Sequence, residues 1–259
     1  MSGISEFNPI GRFTGLAKIY ARCRPSYPDT ALDFIVSVCH LGPAATLVDV
    51  GSGTGIASRL FARKGIRVIG VEPNAEMRAE AESADLPADV KRPTYVDGRS
   101  EATCLSSGSA DVVLAAQAFH WFEAEPALAE FHRILKPVGW VVLMWNDRDP
   151  SDPFTAEYGK LILTVPDAAA AEVPRGDAGK ALSASPLFEQ AELQRFHSEQ
   201  ILDEDSFVGR AFSASYAPRQ GAPADAYERS LRELFARYAN RGRVTLHYET
   251  KVYVARRKA

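Results

Sequence analysis

Between residues 46 and 146 short apolar runs alternate with stretches of helical periodicity. The runs at 46–50, 67–71, 110–115 and 139–145 have the length and residue types of buried strands. A weaker one at 90–96 is interrupted by Pro93. Between them, 55–63, 74–83 and 125–135 predict helices. Asn74 stands as an N-cap, Leu128, Phe131 and Leu135 lie on one face, and Pro137 and Gly139 act as stop signals. Strands alternating with helices predict a parallel sheet wound on both faces, with right-handed crossovers.

The flanks read differently. Phe13, Leu16, Ala17 and Tyr20 recur at helical spacing, and Pro25 predicts a stop near Arg24. A second helix over 29–40 places Leu32, Ile35, Val36 and Cys39 on one face, with Asp29 at its start. Residues 147–186 hold Pro150, Pro153, Pro166, Pro174 and Pro186 and the run from Ala168 to Ala171, which marks an inserted lid or a plain surface excursion. A strand over 192–202 and helices over 205–214 and 224–240 follow. In the last strand Val244, Leu246, Tyr248, Val252 and Val254 share one face, opposite Thr245, His247, Glu249 and Lys251. These changes of pattern divide the chain into residues 1–45, 46–146, 147–190 and 191–259.

Composition narrows the classes. Thirty Lys and Arg against 33 Asp and Glu give a net charge of −3 over 259 residues, without the basic stripe of a phosphate-backbone binder, so no nucleic-acid partner is expected. Hydrophobic residues at 46% exclude a disordered chain. Cys23, Cys39 and Cys104 are odd in number and widely spaced, and no histidine shows metal-ligand spacing, so neither a disulfide framework nor a metal is expected. With no signal-peptide pattern and no apolar run long enough to cross a bilayer, the expectation is a cytoplasmic protein without a membrane partner.

The most informative segment is Val48-Asp49-Val50-Gly51-Ser52-Gly53-Thr54-Gly55, which follows a strand and opens a helix. Alternate glycines permit a tight turn and close approach of a ligand, and the helix start offers N–H groups to an anion. A dinucleotide fingerprint would put its third glycine at position 56, where Ile56 stands. Glu72, about 20 residues past Gly51 at the end of the second strand, suits a ribose diol.

VDVGSGTG, VIGVEPNAEM, the stretch Gly98-Arg99-Ser100-Glu101 leading to ADVVLAAQAFHWF, and FHRILKPVGWVVLMW together resemble class I S-adenosylmethionine-dependent methyltransferases. The likeness is to the small-molecule branch with an FHWF segment, of which the trans-aconitate methyltransferases are a broad relative. It implies a doubly wound, Rossmann-like α/β fold: a seven-stranded, mostly parallel sheet of order 3-2-1-4-5-7-6, strand seven antiparallel, with a helical cap. It also implies the cofactor S-adenosyl-L-methionine, leaving as S-adenosyl-L-homocysteine. Gly51, Ser52, Gly53 and Gly55 would line its methionine part, and Asp49 would order the loop and help the ammonium. Glu72 would hold the ribose, Pro73 and Met77 would pack on the adenine, and Ser100 and Glu101 would meet its edge. Arg99 stands where the family often has Asp. Gln117 and Ala118 would lie beside the reactive methyl. The segment from Tyr20 to Pro28 resembles the branch's Y-x-x-x-R-P-x-Y-P pattern, in which Arg24 would pair with the cofactor's carboxylate and Tyr20 and Tyr27 would close the pocket.

On the acceptor side, His120 follows the fourth strand and is a candidate general base or acceptor-positioning group. Phe119 and Trp121 offer an aromatic wall, with at least one of them expected in the core. Trp145 and Asn146 point to the acceptor side by topology. Arg175, Lys180, Arg210 and Arg219 would recognise an acidic acceptor or lie on the surface as charges. The reading is methyl transfer to a small carboxylate, hydroxyl or amine by a monomer or homodimer. A nicotinamide oxidoreductase, a macromolecular methyltransferase and a non-catalytic cofactor-binding module are the alternatives.

Overall fold

The computed structural model describes residues 15–166, 168–169 and 178–259. Phe13, Ala170, Ala171, Pro174 and Arg175 lie outside them. In chain order the elements are α1 (Ala17–Cys23), α2 (Asp29–Val38), β1 (Thr46–Val50), α3 (Ile56–Arg63), β2 (Arg67–Val71), α4 (Ala75–Ser83), β3 (Thr94–Val96) and β4 (Ala110–Ala116). A 3-10 turn (Phe119–Trp121), α5 (Ala124–Ile134), β5 (Leu135–Arg148), α6 (Pro153–Ile162) and α7 (Ala178–Ala184) follow. The chain ends through β6 (Glu192–Leu202), α8 (Glu204–Phe212), α9 (Gly221–Tyr238) and β7 (Val244–Arg256).

The seven strands form one sheet of order β3-β2-β1-β4-β5-β7-β6. β1 to β5 pair in parallel, and β7 runs antiparallel to both β5 and β6. The order is that of the expected Rossmann-like sheet. β4 shows why the central strands read as unbroken apolar runs. Val112 and Leu114 pack with α2 and α3 on one face, while Val113 and Ala115 pack with Leu128 and Phe131 of α5 on the other. A strand buried on both faces has no polar side to present.

Three boundaries differ from the expectation. β3 is only Thr94–Val96, because Pro93 cannot donate to the ladder. β5 starts at Leu135, directly after α5, and runs through Pro137 and Gly139. The register shifts between Ala110 and Val112 of β4 and absorbs them as an irregularity. α9 begins earlier than expected, at Gly221, since Pro223 fits the first turn of a helix.

Beyond the sheet, α6, α8 and α9 pack with the buried face of β7 into a third core containing Phe154, Tyr158, Phe207, Leu231 and Leu246. α1 closes against α8: a Cβ on Gly209 would stand 2.8 Å from the Cys23 sulfur. None of the described helices is long and apolar enough to cross a membrane.

Candidate active site

A cavity of about 710 Å³ opens at the C-terminal ends of β1, β2 and β4, where open α/β sheets bind ligands. Its floor is the turn after β1. Gly51, Gly53 and Gly55 all adopt positive φ, +70°, +54° and +75°. The turn is fixed by the Gly51 and Ser52 N–H groups, which donate to the Val71 carbonyl at 2.8 and 3.2 Å. At Gly53 a Cβ would meet nothing within 4 Å, so that backbone is open to a ligand in the cavity.

Glu72 leaves the end of β2 and is buried. Its Oε2 accepts from the Gly53 N–H and its Oε1 from the Asn74 N–H, both at 2.9 Å. The carboxylate therefore joins the glycine turn to the start of α4, where Asn74 Oδ1 accepts from the Glu76 and Met77 N–H groups. Burial raises the Glu72 pKa against the lowering effect of those two N–H bonds. Each oxygen keeps a second lone pair for a hydroxyl.

Asp49 lies beneath the turn, 1% exposed. Its Oδ2 accepts from Ser58 Oγ at 2.6 Å, and its Oδ1 has no hydrogen-bond partner among the described residues. Burial pushes its carboxyl up to about 6, with Glu72 adding repulsion. Across the cavity, Gln117 holds φ +55°, a strained conformation for a residue with a side chain. Its backbone N–H donates to the Met144 carbonyl and its Nε2 to the Asn146 carbonyl, which leaves Oε1 buried and unpartnered among the described residues. Unpartnered buried acceptors in one cavity suit a ligand that brings donors or positive charge.

Most of the residues expected at the site line this cavity. Tyr20, Tyr27, Asp49, Gly51, Ser52, Gly53, Glu72, Pro73, Met77, Ser100, Glu101, Gln117, Ala118 and Trp121 do so. Ser100 and Glu101 sit on a loop held by Glu130 of α5, which accepts from the Thr103 N–H at 2.8 Å and from Arg133 Nε at 2.6 Å.

Four expected residues stand elsewhere. Gly55 is the left-handed N-cap of α3, where a Cβ would collide with Tyr95 Oη; it shapes the turn and does not line the cavity. Arg24 is behind the wall. Its guanidinium lies 4.6 Å over the Tyr20 ring and Nη2 donates to the Ser213 carbonyl. Trp145 is 1% exposed and packs edge-on against Tyr253, because β5 alternates and this position faces the α5 core. His120 also lies outside the lining. Trp145 Nε1 donates to its Nδ1 at 3.3 Å, which in the neutral ring puts the proton on Nε2. In that tautomer Nε2 donates, and Nδ1, which Trp145 meets, is the ring's acceptor.

The remaining candidates separate cleanly. Phe119 is core and Trp121 is wall. Asn146 donates from Nδ2 to the Ser26 carbonyl and accepts from Thr250 Oγ1, tying the N-terminal segment to the sheet. Arg219 caps the end of α8 through the Phe212 and Ala214 carbonyls. Arg210 is no surface charge: it is 5% exposed among Tyr158, Tyr216 and Tyr248, and its Nε is unpartnered among the described residues. Phe122 and Glu123 also line the cavity, and Phe122 fills the space a Gly51 Cβ would need. The signal for Phe122 in the sequence was the FHWF segment itself, which Glu123 directly follows.

The family model described as a methyltransferase domain matches residues 48–143, which carry the turn, Glu72, the Ser100 loop and the segment after β4. Those residues are thus similar to methyltransferase domains. An uncharacterized methyltransferase of Mycobacterium tuberculosis is 36% identical over 143 residues, 55% of this chain and 55% of the relative. An uncharacterized methyltransferase-like protein of Schizosaccharomyces pombe is 32% identical over 148 residues, 55% of this chain and 54% of the relative. The chain thus matches about half the length of these relatives. The crystal structure of the YcgJ protein of Bacillus subtilis aligns with 90% of this chain and 100% of its own, at 17% identity and a TM-score of 0.58, a likeness of fold.

Proposed function

We propose that this protein transfers a methyl group from S-adenosylmethionine to a small-molecule acceptor. The observation that carries the reading is the set of groups facing one cavity: the open Gly53 backbone, the Glu72 carboxylate, and the unpartnered Asp49 Oδ1 and Gln117 Oε1. Glu72 would accept from the ribose hydroxyls and Asp49 would take the ammonium. Pro73 and Met77 would pack on the adenine, and Ser100 and Glu101 would meet its polar edge. The bound cofactor supplies an electrophilic methyl on a sulfonium. The chain's part is to hold that methyl and the acceptor atom in line and to exclude water.

Tyr20, Tyr27 and Trp121 form the apolar wall over the same cavity and would orient the acceptor. Acceptors of three kinds fit the reading: carboxylate, hydroxyl and amine. The 147–190 segment, which includes α6 and α7, would cover the acceptor side, and a monomer or homodimer in the cytoplasm would serve.

The test is incubation with S-adenosylmethionine carrying a heavy-isotope methyl and a pooled library of carboxylates, phenols and amines. Mass spectrometry should find a product shifted by the labelled methyl. In parallel, Glu72→Ala should weaken cofactor binding by about 1–3 kcal/mol, the cost of lost bonds to a charged group, as read by calorimetry. Unchanged affinity would remove Glu72 from the site.

A further inference from the structure

On the opposite side of β7 from its buried face, three ligand-type side chains converge. His197 and Glu199 of β6 are two residues apart and point to the same face, since side chains alternate along a strand. In the antiparallel register Glu199 pairs directly with His247 of β7, which places His197 on the diagonal. The two imidazole rings lie with centroids 5.5 Å apart at 33°. One ligand atom from each of the three residues lies within 4.8 Å of the others. Small rotations of exposed side chains bring such atoms to the spacing of a coordination sphere, with metal–ligand bonds of roughly 2.0–2.2 Å. Asp149, just beyond β5, is tied to His247 through the backbone, and its Oδ1 accepts from the Ser151 N–H at 2.9 Å. Its backbone N–H donates to the His247 carbonyl at 2.9 Å.

We infer that His197, Glu199 and His247 form a surface site for a divalent transition-metal ion of the zinc class, with water completing the coordination. Two imidazoles with a carboxylate suit zinc, cobalt, nickel or copper, whereas magnesium and calcium prefer all-oxygen shells. Glu249, the register partner of His197, is engaged by Arg195 at 3.2 Å and Lys251 at 3.7 Å and stays outside the site. A bound ion would pin the edge strand β6 to β7. It would also brace the junction leading into α6, because the His247 N–H donates to Thr155 Oγ1 at 3.1 Å. The site is remote from the cavity after β1, so it stands independently of the proposed methyl transfer.

The test is titration of tag-free, chelator-stripped protein with zinc chloride by calorimetry, and with cobalt chloride by visible absorption. The expected result is saturable binding of one ion per chain, a cobalt spectrum of imidazole and carboxylate ligation, and a rise in Tm with zinc. His197→Ala and His247→Ala should each lower zinc affinity about tenfold or more, with Glu199→Gln weakening it less. All three side chains face solvent at least in part, so the variants should keep the ion-free Tm. Saturable binding that survives both histidine substitutions, or no saturable binding up to about 100 μM zinc, would overturn the site.

Discussion

Asp49 carries the largest electrostatic consequence of a single residue at the site. Its carboxyl is raised to about 6 because burial penalises the charged form. A cationic group of the cofactor beside Oδ1 favours the ionised form, so binding must strip the proton wherever the site is protonated. Affinity for S-adenosylmethionine should therefore climb about tenfold per unit as pH rises towards 6 and level off above it. Calorimetry between about pH 5 and 8 reads this, and a flat profile would separate Asp49 from the ammonium. In the ligand-free protein a raised carboxyl stabilises the fold most at low pH, a contribution lost as pH rises through about 6. Asp49→Asn should accordingly raise the ligand-free Tm at neutral pH while abolishing the pH dependence of binding. His120 poses the second question at this scale. In a His120→Asn variant the side-chain amide oxygen offers an acceptor close to where Nδ1 meets Trp145. A positioning role predicts that His120→Asn keeps most of the turnover while His120→Ala loses it, both with unchanged cofactor affinity. Equal loss in both variants would give the proton-transfer role to the ring.

At the scale of elements, the turn between β1 and α3 works because three positions accept positive φ, and Gly55 is in addition sterically locked. A Cβ there would run into Tyr95 Oη of β3. Gly55→Ala should cost about 2 kcal/mol or more, combining the left-handed backbone with the collision. The double variant with Tyr95→Leu should recover the steric part only. Thermal unfolding of the two separates these terms, and an unchanged Tm in Gly55→Ala would show that the turn relaxes freely. Gly53 makes the contrast, because its missing Cβ leaves open cavity and not a neighbour.

At the scale of the molecule, the cavity wall depends on contacts made far along the chain. Thr250 Oγ1 donates to Asn146 Oδ1 at 2.6 Å, and Asn146 Nδ2 donates to the Ser26 carbonyl at 2.9 Å. β7 thus positions the segment that carries Tyr20 and Tyr27. Thr250→Val leaves Asn146 with an unpaired buried acceptor and should cost about 1–3 kcal/mol of stability. It should also weaken acceptor binding more than cofactor binding, because the Tyr20–Tyr27 wall is loosened while Glu72 and Asp49 are untouched. Urea unfolding together with KM for each substrate would check it, and a shift confined to the cofactor would place the tie elsewhere.

The alternation of strands and helices and the residues that line the cavity at the glycine turn were legible in the sequence because they depend on local signals, whereas the strand order followed from the family resemblance. Strands buried on both faces write themselves as apolar runs, the turn needs glycines at fixed offsets, and Glu72 follows at a fixed distance along one βαβ unit. The tertiary structure alone decided the placement of side chains that reach their surroundings across the sheet. Trp145 and His120 sit at the right end of the right strands, yet the pleat of β5 turns Trp145 into the core, where it occupies the His120 ring nitrogen. Arg24 matches a motif, but α8 packs on α1 and takes its guanidinium away to the Ser213 carbonyl. The cluster of His197, Glu199 and His247 was likewise out of reach, since its two strands are far apart along the chain and become neighbours only through the β6–β7 register. Local spacing fixes what a backbone turn can hold, whereas contacts between distant strands follow from register and packing.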